Sequence, residues 1–358
     1  MNENIKKDKI VSVDCGTMFF QTATRGEGDK LVIKTTRNAF VEVADIDDIE
    51  ETLKQNGWQY VKDGEHYYVI GEDSLRVAKM FPGQVELRRP MQEGVLNKDE
   101  DKKMLVMAEI IESSIGKATG KDDVVCTCIS SEAVDDSTTS TFHKARLEAM
   151  FSRLGYNVVI IEEGLAVVFA ENPKVTEKDG KTFNFSGCGI SWGAGKINCV
   201  LAYKGMPVIG LSSKNSGDWI DKTVSSETGK PLSQVTSLKE NELDLTKDNY
   251  DDEVLFALTA CYRAMITNVI KKFAKKFMEV KSEFDAPINF VVAGGTSMPK
   301  GFCKIFEEVV KGIEIPFEIG TVTRSPDPRN SVVKGCLRRA IIAHKRIKGG
   351  IPDKESSE

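Results

Sequence analysis

Several features that would point to a membrane, to nucleic acid or to secretion are missing from this sequence. Its uninterrupted apolar runs, such as 158–161 and 165–170, are far shorter than the ~20 residues of a membrane-spanning helix. Lysine and arginine number 49 against 54 acidic residues, so no basic excess favours nucleic acid or an anionic membrane. Residues 1–9 are polar and lack the apolar stretch of a signal peptide. We therefore expect a cytoplasmic protein without membrane insertion or direct nucleic-acid binding.

Cysteine is present, but never in the Cys-x-x-Cys spacing that is typical of metal sites. The eight cysteines lie mostly in apolar, strand-like or helical surroundings. This pattern favours buried, reduced thiols over a disulfide framework or a metal centre. The 358 residues are enough for about two domains, each with its own core.

Short apolar runs that predict strands alternate with stretches that predict helices. The helical stretches carry apolar residues at three- and four-residue spacing. Such an alternation is typical of an α/β fold. The predicted strands cover 9–13, a second strand that ends at 24, 30–36, 67–71, 124–129, 157–161, 187–191, 196–203 and 288–293, and the clearest predicted helices cover 46–56, 99–115, 138–154, 252–281, 301–311 and 331–346.

Four glycine-bearing segments have the composition of phosphate-binding turns. In the first, Gly16 permits close backbone approach, the Thr17 hydroxyl can bond a phosphate oxygen, and Asp14 can hold Mg²⁺ through its waters. Taken alone, this first segment is more typical of an ordinary hairpin with aspartate as a turn former. Three such turns at strand ends can together clamp one nucleotide. The remaining segments are 193–195, 215–221 and 293–297.

Two longer patterns add to these turns. A hairpin with glycine at its turn opens the chain at 10–24 and recurs at 189–203, which indicates two similar halves. Residues 69–75 read Val-Ile-Gly-Glu-Asp-Ser-Leu, and residues 89–96 read Arg-Pro-Met-Gln-Glu-Gly-Val-Leu.

Together these segments resemble the superfamily of actin, sugar kinases and heat-shock-chaperone ATPases, and most closely its bacterial actin homologues of the MreB and MamK type. The resemblance extends from Ile10 to about Ala343. The stretches 69–75 and 89–96 are its most specific part. In chain order, 14–17 resembles the first phosphate loop, 161–166 the segment with the catalytic acid, 191–196 the second phosphate loop, 215–221 the Gly-Asp element, 293–297 the adenosine loop and 332–340 the last connecting helix.

The resemblance implies an actin-like ATPase fold, in which two ribonuclease-H-like domains enclose a nucleotide cleft. Domain I would cover 1–160, with an outer subdomain at about 36–80, and would be completed by 325–346. Domain II would cover 161–324, and 347–358 would form a disordered tail.

The resemblance also implies ATP and Mg²⁺ as cofactors and Glu163 as the catalytic residue. A carboxylate near the γ-phosphate can orient and activate the attacking water. In the alternative interpretation, Glu162 and Glu163 only begin a solvated helix, where acids suit the helix dipole. Asp14 would hold the metal through water. The implied nucleotide-binding residues are Asp14, Gly16, Thr17, Ser191, Gly193, Ala194, Gly195, Lys196, Gly217, Asp218, Lys239, Gly294, Gly295 and Thr296.

The second phosphate loop departs from the family pattern at two positions. The family normally has aspartate where this chain has Ser191, and threonine where it has Lys196. Serine supplies no carboxylate charge, so a lower metal affinity and a lower hydrolysis rate are expected. Lys196 either offers a cation to the phosphates or extends from the hairpin into solvent.

A second departure concerns size. Only 30 residues separate Asp221 from the predicted helix that begins at Asp252, where bacterial actins carry a longer subdomain. We therefore expect a reduced outer subdomain in the second half. Because that subdomain makes longitudinal contacts in filament-forming relatives, its reduction puts polymerisation in question.

The favoured function is that of an ATP-binding cytoskeletal protein that assembles with its own copies, hydrolyses ATP and then disassembles. The alternative is an actin-fold nucleotide switch or scaffold that hydrolyses weakly or does not polymerise. A chaperone ATPase is disfavoured because only 15 residues follow Ala343. A sugar or acetate kinase is disfavoured because no matching aspartate motif is seen.

Overall fold

The structure is a computed structural model that describes residues 8–43, 49–97, 99–133, 140–247, 250–280 and 286–349. Parts of three predicted helices, at 46–48, 138–139 and 281, lie outside these ranges, as does most of the predicted tail. Of that tail, 347 and 348 end the last helix. The chain divides into two compact units, the first made of 1–127, 141–160 and 339–358, and the second of 128–140 and 161–338. The domain boundaries expected from the sequence stay predictions.

The first unit is built on a five-stranded sheet with the strand order β10-β9-β1-β2-β3. The first three strands form an antiparallel meander, and β9 pairs in parallel with β1. Its elements are β1 (Ile10–Cys15), β2 (Phe19–Arg25), β3 (Leu31–Arg37), β4 (Phe40–Val43), α1 (Ile49–Gln55), β5 (Tyr60–Asp63), β6 (His66–Ile70), α2 (Glu72–Met80), β7 (Met91–Gln92), β8 (Val95–Leu96), α3 (Lys103–Ile115), β9 (Val124–Ile129), α4 (Ser140–Arg153) and β10 (Asn157–Glu162).

A smaller sheet with the order β4-β6-β5 forms the outer part of this unit. It has its own apolar cluster, which includes Val41, Leu53, Val69 and Val77. The cluster joins the sheet to α1 and α2, because Leu53 lies on α1 and Val77 lies on α2. A separate core of this kind lets a small sheet fold beside a larger one.

The second unit contains another five-stranded sheet, with the order β15-β14-β13-β16-β17. Strands β13 to β15 form an antiparallel meander, and β16 pairs in parallel with both β13 and β17. Its elements are α5 (Glu163–Glu171), β11 (Lys174–Thr176), β12 (Thr182–Asn184), β13 (Gly187–Trp192), β14 (Ile197–Tyr203), β15 (Met206–Ser213), α6 (Gly217–Thr228), α7 (Leu232–Asn241), α8 (Glu253–Val280), β16 (Ile288–Ala293), α9 (Phe302–Lys311), β17 (Ile319–Arg324) and α10 (Ser331–Lys348), the last of which extends into the first unit.

The longest helix, α8, is the core helix of the second unit. By length and composition alone it is apolar enough to cross a membrane. Its residues Leu258, Tyr262, Ile266 and Phe273 are fully buried in the main apolar cluster of this unit. This packing is typical of a core helix in a globular domain. The expected absence of membrane insertion stays a prediction.

The two large sheets share one strand order. In each, a three-stranded antiparallel meander is followed on its first strand by a parallel neighbour, which is β9 in the first sheet and β16 in the second. This is the internal duplication that the two glycine-bearing hairpins indicate. Between α6 and α8, the described residues of the second unit form only the helix α7 and short connections, which agrees with a reduced outer subdomain.

One contact between helices of the second unit depends on glycine. A Cβ atom at Gly335 of α10 would lie 1.8 Å from the carbonyl oxygen of Ala166 in α5. Backbone at this distance cannot yield as the end of a side chain does, so the two helices must separate before any larger residue fits.

We expect Gly335→Ala to reduce the free energy of unfolding by more than ~3 kcal/mol, because it overpacks a backbone contact. The measurement is thermal and urea unfolding followed by circular dichroism. Gly312→Ala is the control, since the nearest atom to its new Cβ, the Val309 oxygen, is 3.4 Å away. Equal stability of the two variants would contradict the prediction.

Candidate functional site

The first phosphate-loop candidate is the turn between β1 and β2, in the first unit. Asp14 is half-buried in β1, and Thr17 is buried. The amide of Gly94 donates to the Thr17 hydroxyl oxygen at 3.1 Å, and the Asn38 side-chain amide donates to the Gly16 carbonyl at 2.8 Å. The turn is therefore held from both sides, and the Thr17 hydroxyl keeps its own proton to donate.

In the second unit, two candidate loops lie at the same edge of the sheet. Ser191 of β13 pairs with Ala293 of β16 in a parallel ladder, so both strands end side by side. The turn 193–196 follows β13, and a single 3₁₀ turn at Gly295–Ser297 follows β16. The Thr296 hydroxyl donates to the Gly193 carbonyl at 3.0 Å and ties the two loops together.

The first turn of α6 packs against the same loop. The amide of Gly217 donates to the Gly193 carbonyl at 3.1 Å, and the amide of Asp218 donates to the Ala194 carbonyl at 2.8 Å. The Ser216 hydroxyl donates to the Ala194 carbonyl at 2.5 Å. Three loops from distant parts of the chain thus meet at the turn 193–196.

Glycine is required where these loops approach each other. A Cβ atom at Gly217 would lie 2.5 Å from the Thr296 hydroxyl oxygen, and one at Gly294 would lie 2.4 Å from the Trp192 carbonyl. Gly294 also has a φ angle of +90°, which other residues rarely adopt. Gly295 has open space above it.

The turn 193–196 carries backbone donors that nothing in the described ranges uses. The amide of Gly193 closes the turn on the Lys196 carbonyl at 3.1 Å, whereas the amides of Ala194 and Gly195 donate to no acceptor there. Successive free amides of this kind form an anion-binding nest. Lys196 is only 5 % exposed, so its side chain does not extend into solvent.

Glu163 lies next to this turn because α5 begins directly against the sheet. Cβ atoms at Gly164 and Gly189 would each come within 3 Å of backbone on the other element, so the helix can approach β13 only through these glycines. As a result, the Ser191 hydroxyl donates to a carboxylate oxygen of Glu163 at 3.1 Å. Ser191 is 3 % exposed and Glu163 is half-buried.

The neighbouring carboxyl group, Glu162, has a different environment. It faces β15, where a Cβ atom at Gly210 would lie 2.7 Å from its Oε1 atom. Burial raises its pKa above the usual value for glutamate, although the charge of Lys276 acts in the opposite direction. Two adjacent glutamates are thus separated into one that faces the phosphate-loop turn and one that faces the sheet.

Lys239 is held in a buried ion pair. Its ammonium group lies 2.8 Å from a carboxylate oxygen of Asp221 and 3.2 Å from the Gly217 carbonyl, and the two side chains are 10 % and 7 % exposed. Thr236 donates to the same Asp221 oxygen at 2.9 Å, while the other oxygen is buried and has no partner among the described residues. Lys239 therefore fixes the first turn of α6 through direct bonds.

The candidate residues fall into one group in each unit. Asp14, Gly16 and Thr17 form the first, and the remaining candidates surround the turn 193–196. No set of three His, Cys, Asp or Glu residues with metal-ligand geometry occurs in the ranges that the structure covers. Sequence reasoning missed four residues that hold the loops in place, although the last three of them lay inside quoted motifs: Asn38, Gly94, Ser216 and Asp221.

Comparison with known proteins gives a family and a fold. The family model described as Volactin matches residues 10–340. No curated protein matches the chain.

Several solved structures share the fold of this chain. The chain is similar to a MamK double helical filament, with a TM-score of 0.65, 17 % identity and coverage of 92 % of this chain and 98 % of that one. It is also similar to MreB 5 of Spiroplasma citri bound to AMPPNP, with a TM-score of 0.65, 16 % identity and coverage of 97 % of this chain and 100 % of that one. For the same protein bound to ADP, the TM-score is 0.62, the identity is 16 %, and the coverage is 95 % of this chain and 98 % of that one. The predicted actin-like fold and the resemblance to MreB and MamK are confirmed.

The raised pKa of Glu162 predicts that this carboxyl group destabilises the folded protein at high pH. A carboxyl group whose folded pKa exceeds its unfolded pKa favours folding while it is protonated, and this contribution is lost as pH rises through the folded pKa. We therefore expect Glu162→Gln to raise the melting temperature at pH 8 and to leave it unchanged at pH 4. Glu132→Gln, an exposed neighbour of the same Lys276, is the control. A gain at pH 4 as large as that at pH 8 would refute this account.

Proposed function

Because this chain belongs to the Volactin family and has an actin-like fold, we propose that it is an ATP-binding cytoskeletal protein that polymerises with ATP and Mg²⁺ and hydrolyses the nucleotide. The observation that carries the proposal is the junction of three loops at the turn 193–196. Its partners would be ATP or ADP and further copies of itself, in the cytoplasm.

Phosphate binding is assigned to backbone amides. Ala194 and Gly195 present N–H groups that no described residue accepts, which is what an anionic oxygen requires. Thr17 offers a hydroxyl proton from the other candidate turn. Lys196, buried at the same turn, would add a positive charge. Gly16, Gly193, Gly217 and Asp218 complete the proposed phosphate-binding set.

The nucleoside is assigned to the loop that follows β16. Gly294, Gly295 and Thr296 form its first turn, and the space above Gly295 is open. Lys239, predicted as a nucleotide contact, already donates to Asp221 and to Gly217. We propose that it acts on the nucleotide mainly by holding the first turn of α6 against the phosphate loop.

Hydrolysis is assigned to Glu163. Its carboxylate is half-buried and fixed by the Ser191 hydroxyl, so it is oriented before any water arrives. A carboxylate in this state can accept a proton from an attacking water, which typically contributes ~10²- to 10⁴-fold to a rate. The rest of the acceleration in phosphoryl transfer comes from neutralising charge on the phosphates.

Magnesium would arrive with the nucleotide. Mg²⁺ in nucleotide sites keeps several waters and takes only one or two carboxylates besides the phosphates. Asp14, half-buried at the end of β1, is the carboxylate that we propose for it, through water. When bound, the ion would neutralise negative charge on the phosphates.

Ser191 favours a second candidate function. The family's aspartate at this position would bring a second carboxylate next to Glu163, whereas serine brings a neutral donor. A switch or scaffold that binds nucleotide but hydrolyses it slowly would agree with this change. Turnover as fast as that of active actin homologues would exclude the second candidate.

We expect Glu163→Gln to reduce ATP hydrolysis by at least ~10²-fold, because the general base is lost, while ATP binding and ATP-dependent assembly persist. Phosphate release and light scattering would be recorded on the same sample, and assembly would be checked by pelleting. Glu162→Gln is the matched control, since this neighbour faces β15.

Two results would count against the proposal. If the wild-type protein neither scatters nor pellets with ATP across salt and protein concentrations, the filament function is wrong. If Glu163→Gln and Glu162→Gln reduce hydrolysis equally, Glu163 has no special role in the reaction.

Ser191→Ala is expected to lower kcat by about tenfold with KM unchanged, because the hydroxyl holds a carboxylate rather than the substrate. Ser191→Thr keeps the hydroxyl and should retain most of the wild-type kcat. Steady-state kinetics of the three proteins checks this. An increase in KM without a change in kcat would instead make Ser191 a nucleotide contact.

A further inference from the structure

The first unit contains a cavity that the proposed nucleotide site does not use. Its volume is about 270 Å³, and it lies among β2, β3, α3 and the edge of the outer sheet. Phe20, Ile70 and Ile110 line one part of it and are buried. These three side chains give the cavity an apolar floor.

The rest of the lining is polar and mostly uncharged. Five of the lining residues carry a hydroxyl group, which can both donate and accept a hydrogen bond. Two of these groups already have a protein partner: the Thr35 hydroxyl accepts from the Gln21 side-chain amide at 3.1 Å, and the Ser113 hydroxyl donates to the Ile110 carbonyl at 3.2 Å. Lys34, exposed at the mouth, has no carboxylate partner in the described ranges. The hydroxyl groups belong to Thr22, Thr35, Thr36, Ser113 and Ser114.

Thr22 distinguishes this cavity from an ordinary surface groove. Its residue is only 5 % exposed, yet its side-chain hydroxyl bonds to no other residue that the structure describes. The hydroxyl is not among the fully enclosed side-chain atoms that lack a partner, so it is open to the cavity. A hydroxyl group in this position takes its partner from a ligand or an ordered water in the cavity.

The wall opposite β3 requires glycine. Gly71 has a φ angle of +68°, and a Cβ atom there would lie 2.9 Å from the Thr36 hydroxyl oxygen. Its amide donates to the Ala39 carbonyl at 3.0 Å, which fixes the outer sheet beside the end of β3. The cavity is thus a built feature of the junction between the two sheets.

We propose that this cavity binds a small polyol that carries one anionic group. The hydroxyl side chains match the hydroxyl groups of a polyol, the apolar floor matches its carbon skeleton, and Lys34 supplies one positive charge for one anionic group. The site is independent of the proposed nucleotide function. A ligand here would contact β2, which follows the turn at Gly16, and β3, which is followed by Asn38, the residue that bonds this turn.

Isothermal titration calorimetry on the full chain tests the proposal with three probes. Glycerol 3-phosphate has both the hydroxyl groups and the anion, glycerol has only the hydroxyl groups, and inorganic phosphate has only the anion. We expect glycerol 3-phosphate to bind more tightly than either of the others. Lys34→Gln should weaken it about tenfold, as the loss of a charged hydrogen bond implies.

Two further variants sharpen the test. Thr22→Val keeps the shape of the side chain and should weaken glycerol 3-phosphate by about fivefold or more. Lys30→Gln makes the same charge change just outside β3 and should leave the affinity unchanged. Circular dichroism checks that Thr22→Val folds. If this variant does not fold, the affinity of Lys34→Gln for glycerol 3-phosphate decides between the proposal and its rejection.

Three results would overturn the proposal. The first is that glycerol 3-phosphate gives no binding at millimolar concentration. The second is that inorganic phosphate binds as tightly, because the site would then recognise only an anion. The third is an equal loss of affinity in Lys34→Gln and Lys30→Gln, because the ligand would then respond to net charge rather than to this cavity.

Discussion

The site in the second unit depends on backbone segments that approach one another closely at glycines. The first turn of α6 meets the turn 193–196 through main-chain amides and carbonyls, the loop after β16 bonds the same turn through the Thr296 hydroxyl, and the atoms around Gly217 and Gly294 leave no space for a Cβ. The same constraint lets α5 reach the sheet at Gly164 and Gly189. Because direct backbone bonds have few degrees of freedom, this arrangement fixes the free amides of the turn to within small distances. A preorganised set of donors loses little entropy when it binds an anion.

Buried polar pairs reinforce that arrangement from behind. The ion pair of Lys239 with Asp221 is almost fully enclosed, and such a pair is weak evidence for stability, because the cost of desolvation offsets most of the attraction. Its effect is geometric. Lys239 also bonds the Gly217 carbonyl, so the charge pair connects α7 to the first turn of α6. The buried charges therefore position the loop more than they stabilise the fold.

The sequence allowed most strands and helices to be placed, and the failures have physical causes. The central strands β13, β14 and β16 are mostly apolar, and their predicted limits agree with the structure to within one residue. Strand β15 was missed because Pro207 and Gly210 interrupt it. Proline is tolerated at this edge of the sheet, and Gly210 makes room for the Glu162 carboxylate. Strand β17 was missed because Gly320 interrupts its apolar pattern. The structure requires glycine there, since a Cβ atom at Gly320 would lie 2.2 Å from the side-chain oxygen of Asn289.

Site residues could be predicted where a motif names them, but not where they act through another residue. Asp14, Gly16 and Gly193 follow from the glycine turns themselves. Asn38 does not, because an isolated Asn has no local signature. The role of Asp221 does not follow either, although it lies in the quoted segment 215–221, because only the fold brings it to Lys239. The role of Gly94 lay hidden in the quoted stretch 89–96, since its contact with Thr17 spans 77 residues.

The duplicated hairpins give the two halves unequal chemistry. Asp14 and Ser191 occupy the same place, two residues before the glycine of the turn and next to the end of the first strand of each meander. The first half therefore places a carboxylate where the second half places a hydroxyl. In the second half the carboxylate comes from Glu163, and Ser191 bonds it. An aspartate at 191 would set two negative charges side by side, which raises the cost of ionising both unless a cation is present. Serine removes that requirement, so the carboxylate of Glu163 can be held in place before any metal binds.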